Sequence, residues 1–201
     1  VTTPRRADAA RNRDRVLATA RLAVASGDLS LQHNDLARRA GTGVGTVYRH
    51  FPTRRALLEA LAEDTFTALL DDARSARHHD DPGTGVEILL RALLTRQLAD
   101  PAFAEVIAGE PEQDADPGTT ARRAELGELA RAVLDDARRA GTLRPDLTED
   151  DLRHLLCGVA FAVRIGDGPD ERADRYLRVL LDGLRPTPGN PVDRRRQRHL
   201  R

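Results

Sequence analysis

Thr46, Tyr48, Arg49 and His50 fall within one run of five residues and bring together a hydroxyl, a phenol, a guanidinium and an imidazole. Such groups hydrogen-bond base edges and phosphate oxygens, and nothing beside them supplies the paired acid and base that bond-making chemistry needs. Val44, Val47 and Phe51 are interleaved with them, so one side of a helix here packs while the other faces a nucleic acid. Other groupings carry less. Gly41, Gly43 and Gly45 resemble a phosphate-binding run, but no strand precedes them and the spacing is not a dinucleotide fingerprint. His78, His79, Asp80 and Asp81 offer metal-ligand types at a helix end before Pro82 and Gly83, the composition of a solvated loop. His154, beside Asp150 and Asp151, has no serine or cysteine nucleophile in a recognisable motif. Cys157, the single cysteine, lies in the apolar run LLCGVAF as a small hydrophobe. No catalytic constellation, metal site or cofactor is indicated.

The elements that position the polar run are written around it, in Asp35 to Leu58, DLARRAGTGVGTVYRHFPTRRALL. Leu36, Ala37 and Ala40 share one face of a short helix, and Gly41 stands where a left-handed residue ends it. A second helix carries the polar run, Pro52 stops it, and Thr53 caps the next. This is the layout of a DNA-binding helix-turn-helix. Upstream, Arg11 to Ala25 has Val16, Leu17, Ala20 and Val24 on one stripe and ends at Ser26-Gly27-Asp28, a first helix behind the other two.

From Arg54 a helical pattern through Leu57, Leu58, Leu61 and Leu69 runs to Arg77, long enough to bridge two domains. Further helices are expected from Thr84 or Gly85 to Asp100, over Ala102–Ala108, over Ala121–Ala140, from Leu152 to Ile165 behind a Thr148/Asp151 capping box, and over Pro169–Leu184. Gly109 to Thr120, polar and rich in Pro and Gly, reads as a surface loop. No segment alternates with period two, so the chain is expected to be all-α, with a tail from Arg185 to Arg201 lacking regular structure.

The zero net charge conceals segregation. Residues 1–60 hold 11 Arg against 5 acidic residues, residues 61–190 hold 16 against 26, and residues 191–201 hold 5 against 1. A basic head on an acidic body suits a polyanion partner. The hydrophobic share of 40% is enough to fill a core, and no apolar run reaches the roughly 18 residues of a membrane span. The N-terminus has arginines without a following apolar stretch, so the cytoplasm is the expected compartment and no membrane partner is expected.

The Leu36-Ala37 pair, the Ala40-Gly41 helix end, Gly45-Thr46-Val47-Tyr48 with Phe51, and Pro52-Thr53-Arg54 with Leu57-Leu58 together resemble the TetR family, the tetracycline-repressor-like transcriptional regulators, from about Arg11 through Leu61. The resemblance implies a homodimer of two-domain subunits: a helix-turn-helix DNA-binding head over residues 1–53, and a helical ligand-binding and dimerisation body over 54–184. On this pattern Val44, Gly45, Thr46, Tyr48 and His50 face the groove, Tyr48 and Arg54 contact phosphates, and Arg49 reaches backbone or base. Arg38, on the preceding helix, is a base reader through the bidentate match of guanidinium to guanine. Arg5, Arg6, Arg11 and Arg13 form a basic arm that adds attraction to DNA. Two positions depart from the family. Thr42 replaces the usual packed Val or Ile, and Gly43 replaces the usual Ser, softening the turn. Gln32 falls at the usual capping position of the second helix, leaving Ser30 or Asn34 as caps.

For the body, the candidate ligand-lining residues are Phe66, Leu90, Leu94, Phe103, Ile107, Val133, Cys157 and Phe161, with Arg91, Arg96, Gln97 and Arg164 available to a ligand carboxylate. Wide apolar stripes on the last two helices place Leu152, Leu156, Val163, Tyr176, Leu177, Leu180, Leu181 and Leu184 in a four-helix dimer interface. The expected function is a repressor that binds a double-stranded, pseudo-palindromic operator and is released by a small-molecule inducer. An activator, a ligand-independent DNA-binding dimer, and a helical carrier or enzyme with a vestigial head are the alternatives.

Overall fold

The computed structural model describes residues 4–165 and 169–186, with side chains described for 8–165 and 171–186. Among these residues every regular element is helical: α1 (Pro4–Ala25), α2 (His33–Ala40), α3 (Val44–His50), α4 (Arg54–Arg77), α5 (Pro82–Ala99), α6 (Pro101–Ala108), a 3-10 turn (Pro111–Gln113), α7 (Pro117–Arg139), α8 (Glu149–Arg164) and α9 (Pro169–Leu184). The all-α reading holds. Most of the expected tail lies outside the described residues.

The first three helices form a small bundle because each contributes one apolar stripe. Val16, Leu17, Ala20 and Ala23 of α1, Leu36, Ala37 and Ala40 of α2, and Val47 of α3 are all buried. Gly41 adopts φ +61, ψ +41 and its N–H reaches back into α2, the left-handed termination its position predicts. Arg15 of α1 seals the same turn by donating to the carbonyls of Ala40 and Gly41, at 2.6 and 2.9 Å. The Thr53 hydroxyl accepts the N–H of Ala56 at 3.1 Å and opens α4. With 24 residues, about 36 Å at 1.5 Å per residue, α4 leaves the head and runs through the body against α5, α6 and α7. The buried cluster continues without interruption from the head along α4 into the body.

Several helix starts differ from the sequence expectation. α5, α6 and α7 begin at Pro82, Pro101 and Pro117, each behind an aspartate whose carboxylate accepts an N–H of the first turn. Proline fits this position because its missing N–H would have no partner there and its φ is already helical. These Asp-Pro pairs start helices ahead of the positions expected from the apolar pattern, Thr84 or Gly85, Ala102 and Ala121. α1 begins at Pro4, so the arm that was to carry Arg5, Arg6 and Arg11 is helical backbone; the side chains of Arg5 and Arg6 lie outside the described residues. Gln32 stands at the start of α2 without a side-chain capping bond, and neither Ser30 nor Asn34 replaces it. Asp28 instead folds the preceding turn by accepting the Ser30 N–H at 3.0 Å. The capping box of α8 is present as expected, with Asp151 N donating to Thr148 Oγ1 at 3.1 Å and Thr148 N donating to the Asp151 carboxylate at 2.8 Å.

Candidate nucleic-acid interface and ligand cavity

α3 turns Val47 into the head and leaves Val44, Gly45, Tyr48 and Arg49 exposed on its outer side, with Thr46 and His50 half-buried. A Cβ added at Gly45 would meet nothing within 4 Å, so this side of the helix is open to close approach. Arg38 stands beside it on α2 with an 80% exposed side chain, held by an ion pair to Asp35. Its exposure leaves it able to exchange that carboxylate for another acceptor.

The Tyr48 ring is fixed from behind. His33, buried at the start of α2, stacks on it at a centroid distance of 4.5 Å and an angle of 18°. His33 Nε2 lies 2.7 Å from the Phe51 carbonyl, and since that oxygen only accepts, Nε2 carries the proton. One imidazole therefore ties α2 to the end of α3 and orients the phenol. Sequence reasoning passed over His33, which gave no signal beyond being a polar residue on an apolar face. The Thr42 hydroxyl is buried with no hydrogen-bond partner, and Gly43 offers no side-chain cap to α3, consistent with the softened turn expected there.

Arg13 does not extend as part of an arm; its guanidinium lies over the Phe51 ring at 5.6 Å. Arg54 departs from the phosphate-contact expectation. Its Nε donates to the Leu29 carbonyl at 2.7 Å and both terminal nitrogens go to Glu105 of α6, Nη2 at 2.6 Å. The carboxylate holds the guanidinium more firmly protonated than usual. Arg54 thus joins the head linker, the first turn of α4 and α6.

Beneath this contact lies a charged cluster invisible in the sequence. Glu59, buried on α4, accepts Arg55 Nε and the backbone N–H groups of Ala115 and Asp116, each at 2.8 Å. Asp114, with a fully buried side chain, accepts from both Arg55 and Arg123. The polar loop expected at the surface is therefore anchored from below. Arg55, Arg123 and Arg153 also converge on the last carbonyls of α6: Arg55 and Arg123 on Val106, Arg123 and Arg153 on Ile107. Burial pulls the Arg123 guanidinium below its ordinary value, against the opposing pull of Asp114. The carbonyls at the end of this short helix thus take side-chain donors, and Val106 also accepts the Gly109 N–H at 3.3 Å.

A cavity of about 360 Å³ opens between α4, α5, α7 and α8, with Ile107 of α6 in its wall. Of the eight expected lining residues only Leu90 and Ile107 reach it. Phe66 and Phe103 meet edge-to-face in the core at 4.8 Å, and Leu94 and Val133 are buried core residues outside its wall. Cys157 is half-buried away from the wall, its thiol pushed up by burial, and Phe161 is 63% exposed on the outer surface. Nor do the four polar candidates line it. Arg91 pairs with Glu87 and Asp174, Arg96 with Asp72, Gln97 is buried, and Arg164 donates to the Gln97 carbonyl. The cavity forms where α7 presents the small residues Gly127 and Ala130, a gap that a search for large apolar side chains overlooks.

The expected interface residues divide between core and surface. Leu152, Leu156, Val163, Leu177 and Leu184 are buried within one protomer, and Tyr176, Leu180 and Leu181 are half-buried. The outward apolar residues of α8 and α9 are Leu155, Phe161, Ile165 and Val179, with Ile165 72% and Val179 68% exposed.

Comparison with known proteins agrees with this architecture. Residues 16–61 match the profile described as bacterial regulatory proteins, tetR family, and residues 81–186 match that of the transcriptional regulator SbtR-like C-terminal domain. The chain is similar to the HTH-type transcriptional repressor LfrR of Mycolicibacterium smegmatis, 34% identical over 56% of each chain. It is also similar to the HTH-type transcriptional regulator YvdT of Bacillus subtilis, 38% identical over 28% of this chain and 30% of that one. The matches thus span about half and under a third of these relatives' lengths. Among solved structures, the TetR transcriptional regulator SCO0520 of Streptomyces coelicolor aligns with 30% identity and a TM-score of 0.54, over 87% of this chain and 99% of that one. A tetR-family regulatory protein from Rhodococcus RHA1 aligns with a TM-score of 0.64 over 88% and 98% at 20% identity, a likeness of fold.

Proposed function

Since this chain belongs to the TetR family of bacterial transcriptional regulators, we propose that it is a repressor, a homodimer whose paired α3 helices enter successive major grooves of a pseudo-palindromic operator and which a small molecule in the cavity releases. Residues 1–53 act as the reading head and 54–184 as the sensing and dimerising body. The work is done on DNA in the cytoplasm, and no described helix is long and apolar enough to cross a membrane.

In this reading Val44, Gly45, Thr46, Tyr48, Arg49 and His50 approach the groove and Arg38 reaches a base from α2. Tyr48 and Arg49 are the exposed groups best placed for backbone contact. Arg54 acts at the junction. The second protomer covers Leu155, Phe161, Ile165 and Val179, because a two-fold contact buries apolar surface and these are the exposed large apolar side chains of this part of the chain.

The observation that carries ligand control is the position of α6. Ile107 forms cavity wall, the carbonyls of Val106 and Ile107 hold the Arg55, Arg123 and Arg153 clamp, and Glu105 holds Arg54 against the head. A ligand that displaces Ile107 disturbs this clamp and with it the seat of α4 under the head, favouring a spacing of heads that does not fit DNA. Transcription in vitro from a promoter carrying an inverted-repeat operator that the protein binds should fall as the protein is added. A rise in transcript would replace repression with activation.

A further inference from the structure

Resting on the ligand-binding reading above, we infer that the natural occupant of the cavity is an uncharged aliphatic molecule, a flexible or alicyclic hydrocarbon skeleton with at most one or two neutral polar groups. Leu69 of α4, Leu89, Leu90 and Leu93 of α5, and Leu126 and Leu134 of α7 line it, and its surface is predominantly apolar. None of the described lining residues is aromatic, so a planar ring or an organic cation finds no π-face to stack on.

The charged groups at the edge of the cavity cancel and are already used. Arg123 and Arg153 stand against Glu149 and Asp150. Arg123 Nε is 3.0 Å from Asp114, and Arg153 donates to Asp150 at 2.8 Å and to the Ile107 carbonyl at 3.2 Å. Glu149 accepts two bonds from Arg131, at 3.0 and 2.8 Å. A ligand carboxylate could win Arg123 only by leaving the fully buried Asp114 with one partner fewer, and a ligand cation would compete with Arg131 for Glu149. Both exchanges desolvate a charge for no new net pairing, so ions of either sign are discriminated against. Thr120 is the one neutral polar side chain among the described lining residues, and it places a ligand hydroxyl or carbonyl at the Arg123 end. The volume of about 360 Å³ lies at the small end of ligand cavities, which run from roughly 300 to 1,000 Å³.

The test is calorimetric titration of the full chain with three probes of equal chain length: decan-1-ol, decanoate and decyltrimethylammonium. Decan-1-ol should bind at least about 10-fold more tightly than either ion. Gly127→Phe should abolish that binding while leaving the helical circular dichroism intact, because a side chain there starts in open space with nothing within 4 Å of its Cβ. Ala130→Trp plugs the same cavity from the next turn and serves if the first variant misfolds. Binding of either ion as tight as that of the alcohol would overturn the neutral-ligand inference. Alcohol binding that survives both plugs would overturn its location. Failure of all three probes to saturate the protein would count against the ligand-binding reading itself.

Discussion

The guanidinium of Arg54 is clasped by both carboxylate oxygens of Glu105 while its Nε reaches the Leu29 carbonyl, so one side chain bridges the head linker, the first turn of α4 and α6. A bidentate pair fixes orientation as well as distance, which suits a group that must hold two parts of a molecule at a set angle. Partly exposed, the pair adds little to stability; its value is geometric. If Arg54 is a junction residue, Arg54→Ala should leave the slope of log affinity against log salt unchanged, while Arg49→Ala, losing a phosphate contact, should reduce it by about 0.9. Salt titrations of both variants on one operator check this. Glu105→Gln should retain operator binding and lower the fold-change in affinity produced by ligand.

His33 and Tyr48 should behave as one unit on DNA. His33→Leu removes the stack and leaves the buried Phe51 carbonyl without its side-chain donor, a loss of about 1–3 kcal/mol of stability. Operator affinity of His33→Leu, Tyr48→Ala and the double variant should be non-additive, since freeing the phenol matters only while it is there. Strict additivity would separate the two residues.

Thr42→Val should stabilise the fold by about 1 kcal/mol, because it keeps the shape of the side chain and removes a buried hydroxyl with no hydrogen-bond partner. Urea denaturation at equilibrium reads the difference directly. Operator affinity should hold or improve, as the turn into α3 becomes firmer.

On the outer face of α8, Phe161→Asp and Ile165→Asp should give folded monomers by light scattering, with helical content retained, since both residues are already exposed in one protomer. Leu156→Ala, at a fully buried position, should instead cost about 2–5 kcal/mol of stability and leave the partner face intact. The two classes of variant separate the interface from the core beneath it.

The head was legible because its signals are local. Gly41, Thr53 and the Val47 stripe each act on residues within one turn, and each does in the structure what its type predicts. The body was legible only as helices. Leu152, Leu156 and Val163 repeat at helical spacing and suggest an interface, yet a strong apolar stripe is the side a helix buries against its own subunit. The outward residues, such as Phe161 and Ile165, are few and make no repeating stripe of their own. The cavity was hidden for the opposite reason, since it exists where Gly127 and Ala130 leave volume unfilled. Glu59 lies far along the chain from Asp114 and Arg123, and nothing in any one of them announces that they share a buried cluster. Asp-Pro at three helix starts could have been read, and marks each one by the same chemistry of cap and preset φ.

The central claim, a dimer that reads DNA sequence, is tested most directly by selecting binding sites from random duplex DNA with the purified chain and repeating the selection at raised salt. The account predicts an enriched inverted repeat whose half-sites lie about one helical turn, or a multiple of it, apart, with affinity falling steeply as salt rises. Enrichment of no sequence, or of a single site without two-fold symmetry, would contradict it.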